Sequence, residues 1–295
     1  MYFAGSWVHA PRFVTNQVVL SLVSCFTNPM KTPRFGIFCA LVLGAGWLVL
    51  LSGCMTEPVT GRQQFNFMPQ SQEMQLGLTS FEQLKKDTPI NRDPALNALV
   101  EKVGRRIAAA AAKDLPDAQW EFVVFESKEA NAFCLPGGKV GVYTGLLPIT
   151  LNEAGLATVV GHEVAHAAAR HGGERMSEAM ALQGVSEALG AGLAKTDPRT
   201  QAAVSLAYNL GSQVGVALPH SRTQETSADE IGLIYMARAG YDPAAAVAFW
   251  ERFANYNKAA GAATPWFLRT HPVDADRIQT LKAWLPRARQ EYRPQ

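Results

Sequence analysis

The sequence predicts an α+β fold, mostly helical, with a small β-sheet beside one central helix. Three observations predict it. Apolar residues recur at helical spacing before residue 116 and again after Gly145. Between them lie an aromatic, β-branched segment and two short runs that flank Pro136-Gly137-Gly138. No repeat of solenoid period and no long low-complexity tract breaks the pattern.

The elements follow in order. A helix is expected over residues 71–86. Asp93-Pro94 is a helix start, a capping side chain followed by proline at the first helical position. Leu96, Leu99, Val100, Val103 and Ile107 then share one helical face, and Pro116 closes the region. Residues 120–125 read as a strand. Residues 132–135 and 140–143 read as a hairpin turning at Pro136-Gly137-Gly138. After Gly145 the chain is expected to be helical to its end. Thr150 with Glu153 forms a capping-box pattern for a helix that Gly172-Gly173 would stop. Ser221 with Gln224 marks another helix start.

Composition narrows the function classes. The 295 residues are 48% hydrophobic and 18% charged, enough for a real core and wrong for a disordered chain or a disulfide scaffold. The formal net charge of +2 belongs to the leader. Residues 1–53 carry Arg12, Lys31 and Arg34 and no acidic residue; setting them aside leaves 24 basic against 25 acidic residues, a net of −1. A nucleic-acid partner, which would call for a basic excess, is not expected.

Four segments are expected. Residues 1–29 are read as an over-extended start, with Met30 the true first residue. Residues 30–53 form a signal peptide: Met30-Lys31-Thr32-Pro33-Arg34 is basic, residues 35–51 are uncharged, and small residues precede Cys54. Leu51-Ser52-Gly53-Cys54 resembles the bacterial lipobox, which makes Cys54 a lipidated mature N-terminus; an uncleaved anchor is the alternative. Either outcome sets the rest outside the cytoplasm, beside a membrane. Residues 54–68 read as an extended polar tether and residues 69–295 as the working domain. Cys25 and Cys39 fall in the leader, so with Cys54 lipidated only Cys134 remains and no internal disulfide can form.

The chemistry lies in His162-Glu163-Val164-Ala165-His166, an H-E-x-x-H pattern within a strong helix. Residues four apart share a helix face, so both imidazoles can meet one ion, and Glu163 can reach a water beside it as general base. A zinc hydrolase needs a third protein ligand and one open position. Glu225 is the best candidate. Asp229, one turn on, can hold the other N–H of a ligating histidine. His171, five residues after His166, is about 140° away around the helix, so it cannot share the ion and is read as a last-turn histidine facing the helix dipole. His220 is read as structural or at the rim of the cleft. His271 is, by spacing alone, a loop histidine. A structural zinc protein is disfavoured, because such sites usually use cysteine.

Several separate segments, in this order, carry a resemblance. They are Pro58-Val59-Thr60-Gly61-Arg62, Asn131-Ala132-Phe133-Cys134-Leu135-Pro136-Gly137-Gly138, Thr144-Gly145-Leu146-Leu147 and Gly161-His162-Glu163-Val164-Ala165-His166. Ser221-Arg222 through Ala228-Asp229, Ala239-Gly240-Tyr241-Asp242-Pro243, and His271-Pro272 with Arg277 complete the set. The chain resembles the CAAX prenyl protease/HtpX-like family of zinc metallopeptidases (gluzincins), within its group of bacterial outer-membrane lipoproteins. The resemblance implies one Zn2+ per chain held by His162, His166 and Glu225, with Glu163 as base and Asp229 behind the ligands. It also implies His271 and Arg277 in the active site, as oxyanion donors or, for His271, as occupant of the open zinc position in a resting state.

The expected activity is zinc-dependent endopeptidase cleavage of unfolded or misassembled envelope proteins. The strand Asn131, Ala132, Phe133, Cys134 and Leu135 would hold an extended peptide by main-chain pairing. Residues 173–220 are expected to form helices beside or over the cleft, either gating it or simply packing. The competing reading is a largely latent, metal-bearing lipoprotein that assists outer-membrane assembly machinery.

Overall fold

A computed structural model describes residues 54–193, 221–260 and 266–294. The expected leader and signal peptide, His220, and the part of the 173–220 segment beyond residue 193 lie outside the described residues. Among the described residues, no helix is long and apolar enough to cross a membrane.

The described chain opens with a two-stranded antiparallel ladder, β1 (Cys54–Thr56) on β2 (Gln63–Phe65). Residues 54–68 are thus extended, but they are built into the domain: Glu57, Gln64 and Asn66 are buried. Helix α1 (Gln70–Asp87) follows, then α2 (Pro94–Ala110), where the Asp93 side chain accepts from the Ala95 and Leu96 amides. The sheet comprises β3 (Glu121–Phe125), β4 (Ala132–Leu135) and β5 (Lys139–Tyr143). Its order is β3-β5-β4, with β5 parallel to β3 and antiparallel to β4. The β4–β5 turn needs Gly137 and Gly138 at φ 87° and 81°, a region only glycine enters freely. β4 is an edge strand with no strand partner on its outer side among the described residues.

A 3-10 turn (Thr144–Leu146) leads through α3 (Leu147–Thr150) to the central helix α4 (Glu153–Ala168). The α4 cap is Asn152, whose side chain accepts from the Gly155 amide. The expected cap, Thr150, instead ends α3 and donates its hydroxyl to the Leu147 carbonyl. α5 (His171–Leu193) starts almost at once, after Arg170 takes φ 55°. Gly172 and Gly173 therefore do not stop α4; they lie inside α5. Gly173 admits the Glu73 carboxylate, which a Cβ would strike. Helices α6 (Arg222–Arg238), α7 (Ala244–Ala260), α8 (Trp266–Thr270) and α9 (Ala275–Gln290) follow. Ser221 caps α6 as expected, accepting from the Gln224 amide.

α4 is buried on every side from Gly155 to Ala168, which suits a helix apolar around its circumference. It packs on α6, α2, α7 and β4. The crossing with α6 is made by two glycines. A Cβ on Gly232 would stand 3.1 Å from the His162 amide nitrogen, and one on Gly161 would stand 3.2 Å from the Gly232 carbonyl. Beneath the crossing lies an aromatic group of Phe249, Trp250, Phe253 and Phe267, all fully buried. A smaller cluster of Phe81, Val123 and Phe125 joins α1 to the sheet.

Candidate active site

The α4 period sets His162 and His166 side by side, with their Nε2 atoms 3.1 Å apart. The glycine crossing then brings Glu225, in the first turn of α6, between them. Its Oε2 is 3.4 Å from His162 Nε2, and its Oε1 is 3.2 Å from His166 Nε2. His271, just after α8, points its Nδ1 at the same place, 3.2 Å from His162 Nε2 and 2.9 Å from Glu225 Oε1. All four residues are buried. Zinc bonds of about 2.0–2.2 Å in a tetrahedron put neighbouring donors about 3.3 Å apart. The observed separations of 2.9–3.4 Å have that size. The four donors can hold one metal ion, with His271 at the fourth corner.

The electrostatics fit a cation. Burial opposes a charge on His162, yet Glu225 and Asp229 raise its pKa to about 9. The two carboxylates thus favour positive charge at this place despite its burial. Burial alone would raise the Glu225 carboxyl; Arg277, His271 and His162 outweigh it and hold the group well below the usual range. Glu163 is different. Burial raises it, with only partial opposition from His271 and His162. Its Oε1 lies 3.6 Å from His271 Nε2 and has no hydrogen-bond partner among the described residues.

Asp229 stands behind the donors, its Oδ1 3.0 Å from His162 Nδ1. Arg277 grips Asp229 with both arms of its fork, Nε to Oδ2 at 2.6 Å and Nη2 to Oδ1 at 2.8 Å. Its Nη1 reaches Glu225 Oε2 at 2.9 Å and the Pro272 carbonyl at 3.0 Å. The Trp250 ring lies 4.1 Å from its guanidinium carbon. The guanidinium is therefore engaged with both carboxylates. β4 runs along α4, and Cys134 on it is a free, half-buried thiol pushed up by burial and by the nearby Glu163 charge.

Sequence reasoning missed one feature. His171 does not share the ion, but neither is it an isolated residue at a helix end. It is fully buried, with Nδ1 2.8 Å from His166 Nδ1 and Nε2 2.7 Å from Glu57 Oε1. The angular argument assumed a continuous helix, and the positive φ of Arg170 breaks it. The motif containing Arg62, one partner of Glu57, was visible in the sequence, but nothing local linked it to the site.

The family model described as "Peptidase family M48" matches residues 94–285, a span that holds all four donors, Glu163, Asp229 and Arg277. The chain belongs to peptidase family M48. Among its relatives is the mitochondrial metalloendopeptidase OMA1 of Saccharomyces cerevisiae, 33% identical over 270 residues, covering 86% of this chain and 76% of that protein. The OMA1 of Schizosaccharomyces pombe is 32% identical over 264 residues, covering 88% and 75%. The beta-barrel assembly-enhancing protease of Escherichia coli is 27% identical over 245 residues, covering 82% of this chain and 50% of that protein. The chain thus spans about half the length of the Escherichia coli relative. The resemblance to the metallopeptidase family holds, and with it the protease activity: the M48 chain is a metal-dependent endopeptidase.

The Arg277 geometry generates a prediction. Arg277→Met would leave two buried carboxylates, Asp229 and Glu225, without their shared counter-charge. Breaking a buried pair in this way costs about 3–5 kcal/mol. Urea unfolding of the chelator-treated protein should show a loss of this order, and an unchanged midpoint would contradict it.

Proposed function

We propose that this M48 peptidase is a zinc metalloendopeptidase that cuts unfolded or misassembled proteins of the cell envelope. In this reading His162, His166 and Glu225 are the zinc ligands, Glu163 is the general base, and Asp229 orients His162. The observation that carries it is the buried cluster of two imidazoles, one carboxylate and His271 at tetrahedral spacing, with Glu163 beside it. Zinc, when bound, supplies Lewis acidity that polarises the scissile carbonyl and acidifies the attacking water. Glu163 accepts that water's proton and passes it to the leaving amine. Its burial, which raises its pKa, suits a group that must hold and release a proton. Arg277 positions Glu225 and Asp229.

The substrate is proposed to lie along β4, paired to the open edge of Asn131, Ala132, Phe133, Cys134 and Leu135. Pairing by main-chain hydrogen bonds selects extended chain over particular side chains, which suits unfolded protein. The name of the Escherichia coli relative, a beta-barrel assembly-enhancing protease, supports an action on the assembly of β-barrel proteins. The lipobox-like Leu51-Ser52-Gly53-Cys54 supports a lipid anchor on Cys54, at the outer membrane and facing the periplasm.

A second reading is favoured by one observation. His271 Nδ1 sits at the fourth corner of the donor set, where it would close the site and keep the protein latent until His271 moves. A largely latent protein could act chiefly as an assembly factor.

Three outcomes are expected. The purified protein should digest a denatured protein, stop when a chelator removes the metal, and recover with zinc; Glu163→Gln should keep its zinc and lose cleavage by about 10²–10⁴-fold. Loss of zinc from Glu163→Gln, or surviving cleavage, would overturn the role of Glu163. His271→Ala should raise basal cleavage; a fall of about 10²–10³-fold with zinc retained would identify His271 as an oxyanion donor instead, and unchanged kinetics would remove both roles. Cys54→Ser should leave an unprocessed precursor, and mass analysis finding unmodified Cys54 in the mature membrane-bound protein would sink the anchor.

A further inference from the structure

The buried groups that this chemistry leaves unused form one network. Glu57 lies in the segment between β1 and β2. His171 Nε2 is 2.7 Å from Glu57 Oε1, and His171 Nδ1 is 2.8 Å from His166 Nδ1. Arg62 Nε donates to Glu57 Oε1 at 2.7 Å, Thr60 donates to Glu57 Oε2 at 2.7 Å, and Ser227 donates to the same oxygen. Arg62 also forks onto Glu174, at 2.9 and 2.6 Å, and Gln224 donates to Glu174 at 2.6 Å. Gln64, on β2, donates to the Ala169 carbonyl at 2.7 Å.

Glu57, His171 and Glu174 are close enough to suggest a second cation site. The Arg62 guanidinium already pairs with both carboxylates and supplies the positive charge. The network is therefore complete without an ion, and its purpose must be sought in what it touches.

Proton inventory decides that purpose. An ionised carboxylate only accepts hydrogen bonds. Burial alone would raise the Glu57 carboxyl, but the bonds from His171, Arg62, Ser227 and Thr60 hold it at about 2. His171 Nε2 must then carry the proton. A neutral imidazole has one N–H, so His171 Nδ1 offers a lone pair; a ligand role for His166 through Nε2 sets the His166 N–H on Nδ1, 2.8 Å away, to meet it. His166 Nδ1 then donates. The lone pair of His166 is on Nε2, the atom that faces His162 Nε2 and Glu225 Oε1.

We propose that Glu57 and His171 are positioning residues for the metal site: they fix the tautomer and ring orientation of His166, so the hairpin that begins at Cys54 is part of the metal centre. The inference rests on His166 being a ligand, as in the proposed function. The same hairpin reaches α6, because Ser227 and Gln224 flank Glu225 in sequence. It thus braces both helices that carry ligands. His162 has Asp229 in the corresponding place, so each ligand imidazole is held at the nitrogen that does not face the metal.

The test uses the full chain, with zinc affinity read by competition with a chelating dye and geometry read from the visible absorption of the cobalt-substituted protein. His171→Leu removes the acceptor that His171 Nδ1 offers to the His166 N–H. It should weaken zinc binding about 10–100-fold and alter the cobalt spectrum. Glu57→Ala should act the same way, and it answers the question if His171→Leu does not fold. Glu57→Gln keeps an acceptor oxygen and should recover part of the affinity. A purely structural role would lower the unfolding midpoint of the metal-free protein and leave zinc affinity and the cobalt spectrum unchanged; that result overturns the proposal. Failure of the wild type to bind zinc would instead overturn the proposed function.

Discussion

The close crossing of α4 and α6 at Gly161 and Gly232 is the constraint on which the rest depends. Without Cβ atoms at the contact, the two backbones approach until a Gly232 Cβ would stand only 3.1 Å from the His162 amide. That approach carries Glu225 between two imidazoles one helical turn apart. It also seats Asp229, one turn further along α6, against the other nitrogen of His162. Four polar groups are thereby driven into a core of alanine, valine and aromatic side chains. Isolated buried charges cost several kcal/mol each, so the crossing is tolerable only with compensation. Arg277 supplies one positive charge, held bidentately by Asp229 and stacked near Trp250. A metal ion held by the four donors would supply more. Packing and chemistry are the same problem here: the glycines that allow the helices to meet also gather the carboxylates that favour a cation.

Local features of the sequence carried much of this. The H-E-x-x-H spacing needs only the period of a helix to place two imidazoles together, so His162 and His166 could be paired from their numbers. Asp93 and Ser221 announced their helices because a cap is a contact within three residues. The β4–β5 turn was legible in Gly137-Gly138, which sit where φ is positive. Thr150 misled because Asn152, an equally good cap, stands two residues nearer the helix it caps. Gly172-Gly173 misled because glycine serves close approach as well as helix termination, and Glu73 fills the space a side chain would take.

Long-range placement was not legible in residue spacing. His271 is 46 residues from Glu225, and no periodicity links them. Its position was foreseen through the motif resemblance, because a family pattern stores tertiary proximity that a single chain's local pattern does not. Glu57 and His171 are 114 residues apart and were not linked at all. The cue at His171 was an angle around a helix, and that angle lost its meaning at Arg170. A single positive φ turned the imidazole back toward the helix it had left.

The assembly of the site has a thermodynamic consequence. Its parts come from the hairpin before α1, from α4 and the first residue of α5, from α6, and from the segment joining α8 to α9. None of these can present its polar group correctly without the others, since each is oriented by a partner from another element. A ligand that binds only the assembled state stabilises every contact needed to assemble it. The stability of the β1–β2 hairpin and the occupancy of the metal pocket are then linked through Glu57, His171 and His166, and by reciprocity each must favour the other. If the lipid is carried on Cys54, at the first residue of β1, the membrane attachment point lies three residues from Glu57. Any pull on that anchor that loosens the hairpin would act on the orientation of His166 before it acted on the core.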